Sequence, residues 1–159
     1  MKKIFIDETK LQEVMDIIDN AASLMEEKDC NNDEEARNKL EKLQEKLENL
    51  TENKEIDITN FREYGGCISL EEAAKSVLIS PPQKENITDG EIKEIIFSIF
   101  SDDNIGLVGE SEMDYWIRYL ELNTGLPNLS DYIFWPGLAG LDENASLEEI
   151  ANKIIADRK

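Results

Sequence analysis

Apolar residues recur along this chain at three- and four-residue steps, and no alternating run is longer than a few residues. Leu11, Val14, Met15, Ile18, Ala22 and Met25 predict a first helix over 9–28. Cys30-Asn31-Asn32 breaks it, and Asp33 then reads as the N-cap of a second helix through Leu50. In that helix Leu40, Leu43, Leu47 and Leu50 form the apolar stripe among many Glu and Lys, a solvated face over a leucine seam too short for a long coiled coil. Ile56, Ile58 and Phe61 fall in an irregular segment that ends at Gly65-Gly66. Ser69, with Glu72 three positions on, opens a third helix carrying Leu70, Ala73, Ala74, Val77 and Leu78, and Pro81-Pro82 stops it.

A second set of helices follows. Thr88 and Glu91 have capping-box spacing, and Ile92, Ile95, Ile96, Ile99 and Phe100 form the buried stripe behind them. After a loop through Asp102-Asp103-Asn104 and Gly106, a helix runs from about Glu110 to Leu122, ended by Gly125 and Pro127. Met113, Trp116, Ile117 and Leu120 share one face of it; Glu110, Asp114, Arg118 and Glu121 share another. Ser130 is placed to cap one short turn that Pro136-Gly137 cuts off. Ser146 and Glu149 open a last helix through Ile150, Ile154 and Ile155. The predicted class is all-α, with a boundary in the Pro81–Asn86 stretch dividing a helical unit over 1–82 from a second over 83–159.

The two sets read alike. Ser69 to Ala74 is SLEEAA and Ser146 to Ala151 is SLEEIA; 51–61 lines up with 124–134 without gaps; Thr9 and Thr88 each open a first helix. This suggests a degenerate duplication, although Ser-x-x-Glu is also a generic helix start. Where the second set has Asp131, Trp135 and Pro136, the first has Ile58, Arg62 and Glu63. The first set is therefore expected to support rather than to duplicate any site in the second.

Charge narrows the function classes. The formal net charge is -19 over 159 residues, which repels nucleic acid and anionic membranes and attracts basic partners. The chain has no histidine, the commonest general base and zinc ligand. It has no Gly-rich phosphate loop and no nucleophile elbow, and its carboxylates are scattered. No enzyme, metal or cofactor is expected. No apolar run is long enough to span a bilayer, and Lys2-Lys3 precede only Ile4-Phe5-Ile6, too short for a signal-peptide core, so the expected location is the cytoplasm. Cys30 and Cys67 have no metal-ligand spacing and are expected as free thiols.

Ser130-Asp131-Tyr132-Ile133-Phe134-Trp135-Pro136 places an acidic residue, two large aromatics and a proline just after a helix, where such aromatics serve a core or a partner. With Thr88-Asp89-Gly90-Glu91 at a first helix start, Glu110-Ser111-Glu112 opening an acidic second helix, Pro127 in the loop, and Asp142-Glu143 before Ser146, residues 88–159 resemble the colicin/pyocin nuclease immunity proteins. These are small helical inhibitors of bacterial toxin nucleases, with a Ser/Thr-Asp-x-Ile-Tyr-Tyr-Pro signature in the short third helix. The resemblance implies a distorted four-helix bundle over 83–159 and a cognate basic nuclease domain as partner, bound beside its active site with no cofactor. It places Glu110, Met113, Asp114, Ile117, Arg118 and Glu121 on the specificity helix, and Asp131, Phe134, Trp135 and Pro136 on the shared hot spot. Phe134 and Trp135 stand where the family has two tyrosines, so two phenolic hydroxyls are lost and one indole N–H is gained. Residues 1–82 have no counterpart apart from the proposed repeat.

The same residues admit blander roles. Trp116 is at core spacing, Met113 and Ile117 suit core or surface, one of Phe134 and Trp135 could be core, and Asp131 could merely cap its turn. Two other functions fit: an acidic helical interaction module, adaptor or regulatory subunit, without a toxin partner, and a nucleic-acid mimic argued from charge alone. Burial of both aromatics favours the adaptor; an exposed Phe134/Trp135 patch bordered by carboxylates favours the inhibitor.

Overall fold

The computed structural model describes residues 4–62, 68–104 and 108–159. Lys2, Lys3, Glu63, Gly65, Gly66, Cys67 and Gly106, used in the sequence reading, lie outside them. The described residues form seven α-helices and three 3-10 turns, with no strand among them. The chain divides into two compact units, Phe5–Ser80 and Pro81–Lys159, with Ile4 belonging to the second.

In the first unit, α1 spans Glu8–Glu27 and α2 spans Glu34–Thr51; a 3-10 turn at Ile58–Phe61 and α3, Leu70–Leu78, complete it. The α1 stripe of Leu11, Val14, Ile17, Ile18, Ala21 and Met25 is buried against Leu47, Ile58, Phe61, Ala73 and Ala74. Helix α1 begins on Asp7, whose carboxylate accepts from the Thr9 and Lys10 N–H groups at 2.9 and 3.1 Å. The helix thus begins one residue before the expected Thr9, because Asp7 offers a charged acceptor for the first N–H groups. Asp33 caps α2 through the Ala36 N–H, and Ser69 caps α3 through the Glu72 N–H. Gln44 of α2 fixes the 3-10 turn: its side-chain oxygen accepts from the Ile58 N–H at 2.8 Å and its amide donates to the Ile56 carbonyl. Cys30 is a half-buried free thiol.

In the second unit, α4 (Asp89–Phe100), α5 (Glu110–Thr124), α6 (Leu129–Phe134) and α7 (Leu147–Asp157) share one core, with 3-10 turns at Asp102–Asn104 and Pro136–Ala139. Ile92, Ile95, Ile96, Ile99 and Phe100 of α4 meet Trp116, Tyr119 and Leu120 of α5, Leu129 and Ile133 of α6, and Ile150, Ala151 and Ile154 of α7. Both capping boxes form: Thr88 with Glu91, and Ser146 with Glu149. The Ser146 backbone N–H held at 2.8 Å keeps the Glu149 carboxyl below its ordinary range. Both units run two long helices, a short helical piece and a final helix, and Ile58, which stands where the second unit has Asp131, is buried.

The segment before α4 is strapped to α5. The Asn123 side chain accepts from the Glu85 N–H at 2.6 Å and donates to the Gln83 carbonyl at 3.3 Å, while the Tyr119 hydroxyl donates to the Glu85 carboxylate at 3.2 Å. Burial first, then the neighbouring Glu85 carboxylate, pushes the Tyr119 phenol up to about 12. An unfolded tyrosine ionises near pH 10. The stabilisation linked to neutral Tyr119 is therefore complete below pH 10 and is lost as pH climbs to about 12. Urea unfolding of the wild type should show a steeper fall in stability across that window than Tyr119→Phe, which has no phenol to ionise. Parallel curves would remove Tyr119 as the cause.

Candidate functional site

Helix α5 presents the first group of candidate residues. Glu110, Asp114 and Arg118 follow one another at four-residue steps and are exposed. Arg118 pairs with Asp114 at 2.9 Å, so the two charges largely cancel locally; an exposed pair of this kind adds little to stability. Met113 and Ile117 are half-buried and pack on the core, leaving only part of each side chain for a partner. Trp116, 2 % exposed, is core, edge-on to Tyr115 and Tyr119. Among the described residues its indole N–H has no conventional hydrogen-bond acceptor.

Glu121 turns inward to its own chain. Its carboxylate accepts from the Leu129 N–H at 2.9 Å, at the start of α6. Between them the chain reverses. Gly125 takes the left-handed conformation at φ 72°, and an added Cβ there would meet the Lys159 Cβ at 3.4 Å. Asn128 is left-handed as well, at φ 57°. Asn128, not Ser130, is the N-cap residue of α6, and its side chain makes no cap hydrogen bond. Ser130 falls within the helix because the reversal through Gly125 and Asn128 already brings Leu129 into helical register.

The second group sits on α6 and the turn after it. Asp131 is half-exposed in the first turn; it does not cap the helix, and among the described residues nothing pairs with its carboxylate. Phe134 is 48 % exposed, with its other side edge-on to Phe100 at 5.7 Å between ring centroids. Trp135, 67 % exposed, ends α6. Pro136 is buried and starts the 3-10 turn, so its ring shapes the site from inside. The neighbouring Tyr132 is half-buried and donates to Asp157 at 3.0 Å, which commits it to the fold.

Leu138 joins this surface, and neither it nor the exposed Phe97 of α4 is singled out by periodicity. Leu138 is 74 % exposed on the 3-10 turn, where its N–H donates to the Trp135 carbonyl at 2.8 Å. Gly140, left-handed at φ 80°, and the Leu141 N–H bond to the Pro136 carbonyl close that turn. Phe97 is exposed one turn before Phe100 on α4. The only sequence signal for Phe97 is its place off the buried stripe, and for Leu138 its place just after a Pro-Gly break. Three exposed large apolar residues thus fall within five positions, 134–138, beside the carboxylate of Asp131 and the Glu143 side chain that lies against Gly137. Residues 81–159 hold 16 Asp and Glu against 6 Lys and Arg, so the apolar patch sits in a negative field.

Among the described residues there is no group of His, Cys, Asp or Glu able to hold a metal ion, and no helix long and apolar enough to cross a membrane. The chain matches no family model, no curated protein and no solved structure.

Proposed function

We propose that this protein is a non-enzymatic, cytoplasmic immunity protein that binds and inhibits a basic toxin nuclease of the bacteriocin type. The observation that carries the reading is the exposure of Trp135 and Phe134 beside the Asp131 carboxylate, which is unpaired among the described residues. The sequence resemblance of residues 88–159 to nuclease immunity proteins gives that patch its proposed partner. Large rigid aromatics held at the end of a helix provide buried contact area at low entropic cost, the usual make-up of an interface centre. A nuclease must hold phosphates and is basic, so the negative field around the patch complements it and speeds encounter. The exposed Glu110 on α5 adds to that field, while Asp114 and Arg118 pair with each other and add little net charge. Inhibition follows by covering the substrate groove, with no cofactor and no chemistry on this chain.

The direct test is a titration of the full chain against the catalytically inactivated nuclease domain of a toxin encoded beside it. A tight 1:1 complex, together with loss of DNA or RNA cleavage when the active nuclease is used, is the expected result. Absence of binding would leave the adaptor reading as the better account of the patch. The association rate should fall several-fold between low and physiological salt, because exposed charges more than about 8 Å apart are screened at 0.15 M. A rate indifferent to salt in stopped-flow mixing would remove the electrostatic part of the argument.

A further inference from the structure

We infer that Glu121 is a positioning residue for the docking face and not one of its contact residues; this rests on the proposed binding role of the patch. Helix α6 is only six residues long, and its N-cap residue, Asn128, contributes no side-chain hydrogen bond. The first N–H of the helix belongs to Leu129, whose side chain is fully buried. A buried donor without an acceptor is strongly disfavoured, and the acceptor here is the Glu121 carboxylate, reaching across from α5 at 2.9 Å. Beyond that anchor the single short helix and two further hydrogen bonds lead to the patch. The Trp135 N–H donates to the Asp131 carbonyl at 3.0 Å, and the Leu138 N–H donates to the Trp135 carbonyl at 2.8 Å. Glu121 therefore fixes where the helix starts, and with it where Phe134, Trp135 and Leu138 emerge.

The first unit contains the same device. There Gln44, on the second long helix, accepts from the N–H of Ile58, the first residue of the short 3-10 turn. That acceptor is a neutral amide. What the two units share is an oxygen at the right reach, not a negative charge. The geometry therefore separates two roles that a glutamate on an acidic helix could play: a hydrogen-bond acceptor for its own chain, or a charge offered to a basic partner.

Three substitutions divide these roles. Glu121→Gln keeps the reach and loses the charge. Glu121→Asp keeps the charge and loses the reach. Glu121→Ala loses both. On the full chain alone, amide hydrogen exchange at Leu129, Trp135 and Leu138 should stay near wild type in Glu121→Gln and accelerate by at least about fivefold in Glu121→Asp and Glu121→Ala. The Trp135 indole N–H resonance should move in the latter two and stay in the first. Unchanged exchange in Glu121→Asp and Glu121→Ala, or equal acceleration in all three, would overturn the positioning role. These readouts need no partner, so they stand or fall apart from the immunity reading. Against the inactivated nuclease domain, Glu121→Gln should retain affinity and Glu121→Asp should lose it several-fold. The reverse order would make Glu121 a charge contact and overturn the inference.

Discussion

Trp135→Ala is expected to weaken the proposed complex with a toxin nuclease by about 2–4 kcal/mol, a loss of roughly 30-fold or more in affinity, while leaving the melting temperature unchanged. The size follows from where the side chain sits. Trp135 is two-thirds exposed in the free protein, so the fold gains little from it, and a partner that covers it gains most of its apolar area. It is also held at the junction of two hydrogen-bonded turns, which limits the ordering cost on binding. Asp131→Ala should give a smaller loss, about 1–3 kcal/mol, since its carboxylate, unpaired among the described residues, can be desolvated only against a donor or cation of the partner. Calorimetric titration and thermal unfolding of the same preparations check both. Wild-type affinity in both variants would dismiss this patch as the binding site, and a lowered melting temperature for Trp135→Ala would make it a packing residue.

Phe134 should behave differently. Its edge contact with the buried Phe100 means that removing the ring disturbs both the surface and the core beneath it. A change at Phe134 therefore mixes binding with stability, whereas Trp135 reports on binding alone. The contrast comes from one turn of helix. Position 134 still faces the core edge, and position 135, where the helix ends, does not.

The helical class was legible because the apolar stripes were strong and the caps chemically distinct. Thr88 with Glu91 and Ser146 with Glu149 close both halves of the box that their spacing implied. The differences lie at two helix starts. The first helix begins at Glu8, one residue before the expected Thr9, because the Asp7 carboxylate satisfies two N–H groups at once. Ser130 yields to a backbone reversal through Asn128, which follows Pro127 and is one of the few non-glycine residues that readily take the left-handed conformation. The candidate site shows the same division. Periodicity placed Trp116 in the core and Glu110 at the surface, but Glu121, expected on the same face as Glu110, is turned to the Leu129 N–H by a contact eight residues away. Leu138 was invisible for a related reason. A leucine carries no periodic signal in a four-residue turn, and its exposure depends on how Pro136 and Gly140 close that turn.

Leu120→Ala should produce the largest loss of stability and supplies the counterpart to Trp135→Ala. Leu120 is fully buried on α5, between Ile117 and Glu121, in the core that all four helices of the second unit share. Truncating a leucine at such a position costs about 2–5 kcal/mol, from lost transfer energy and the cavity left behind. Typical stabilities of 0.05–0.15 kcal/mol per residue give a unit of this size only about 4–12 kcal/mol in total. The substitution therefore removes a large fraction of what holds the unit together, and the midpoint should fall by about 10 °C or more. Leu120→Met, which nearly conserves volume, should recover most of it. Binding in Leu120→Ala should fail only where the unit has melted and return on cooling, because no atom of the docking face has been removed. If Leu120→Ala instead lost affinity well below its own midpoint, the patch would depend on the position of α5 more closely than one hydrogen bond from Glu121 implies. The docking face would then have to be treated as a property of the whole core.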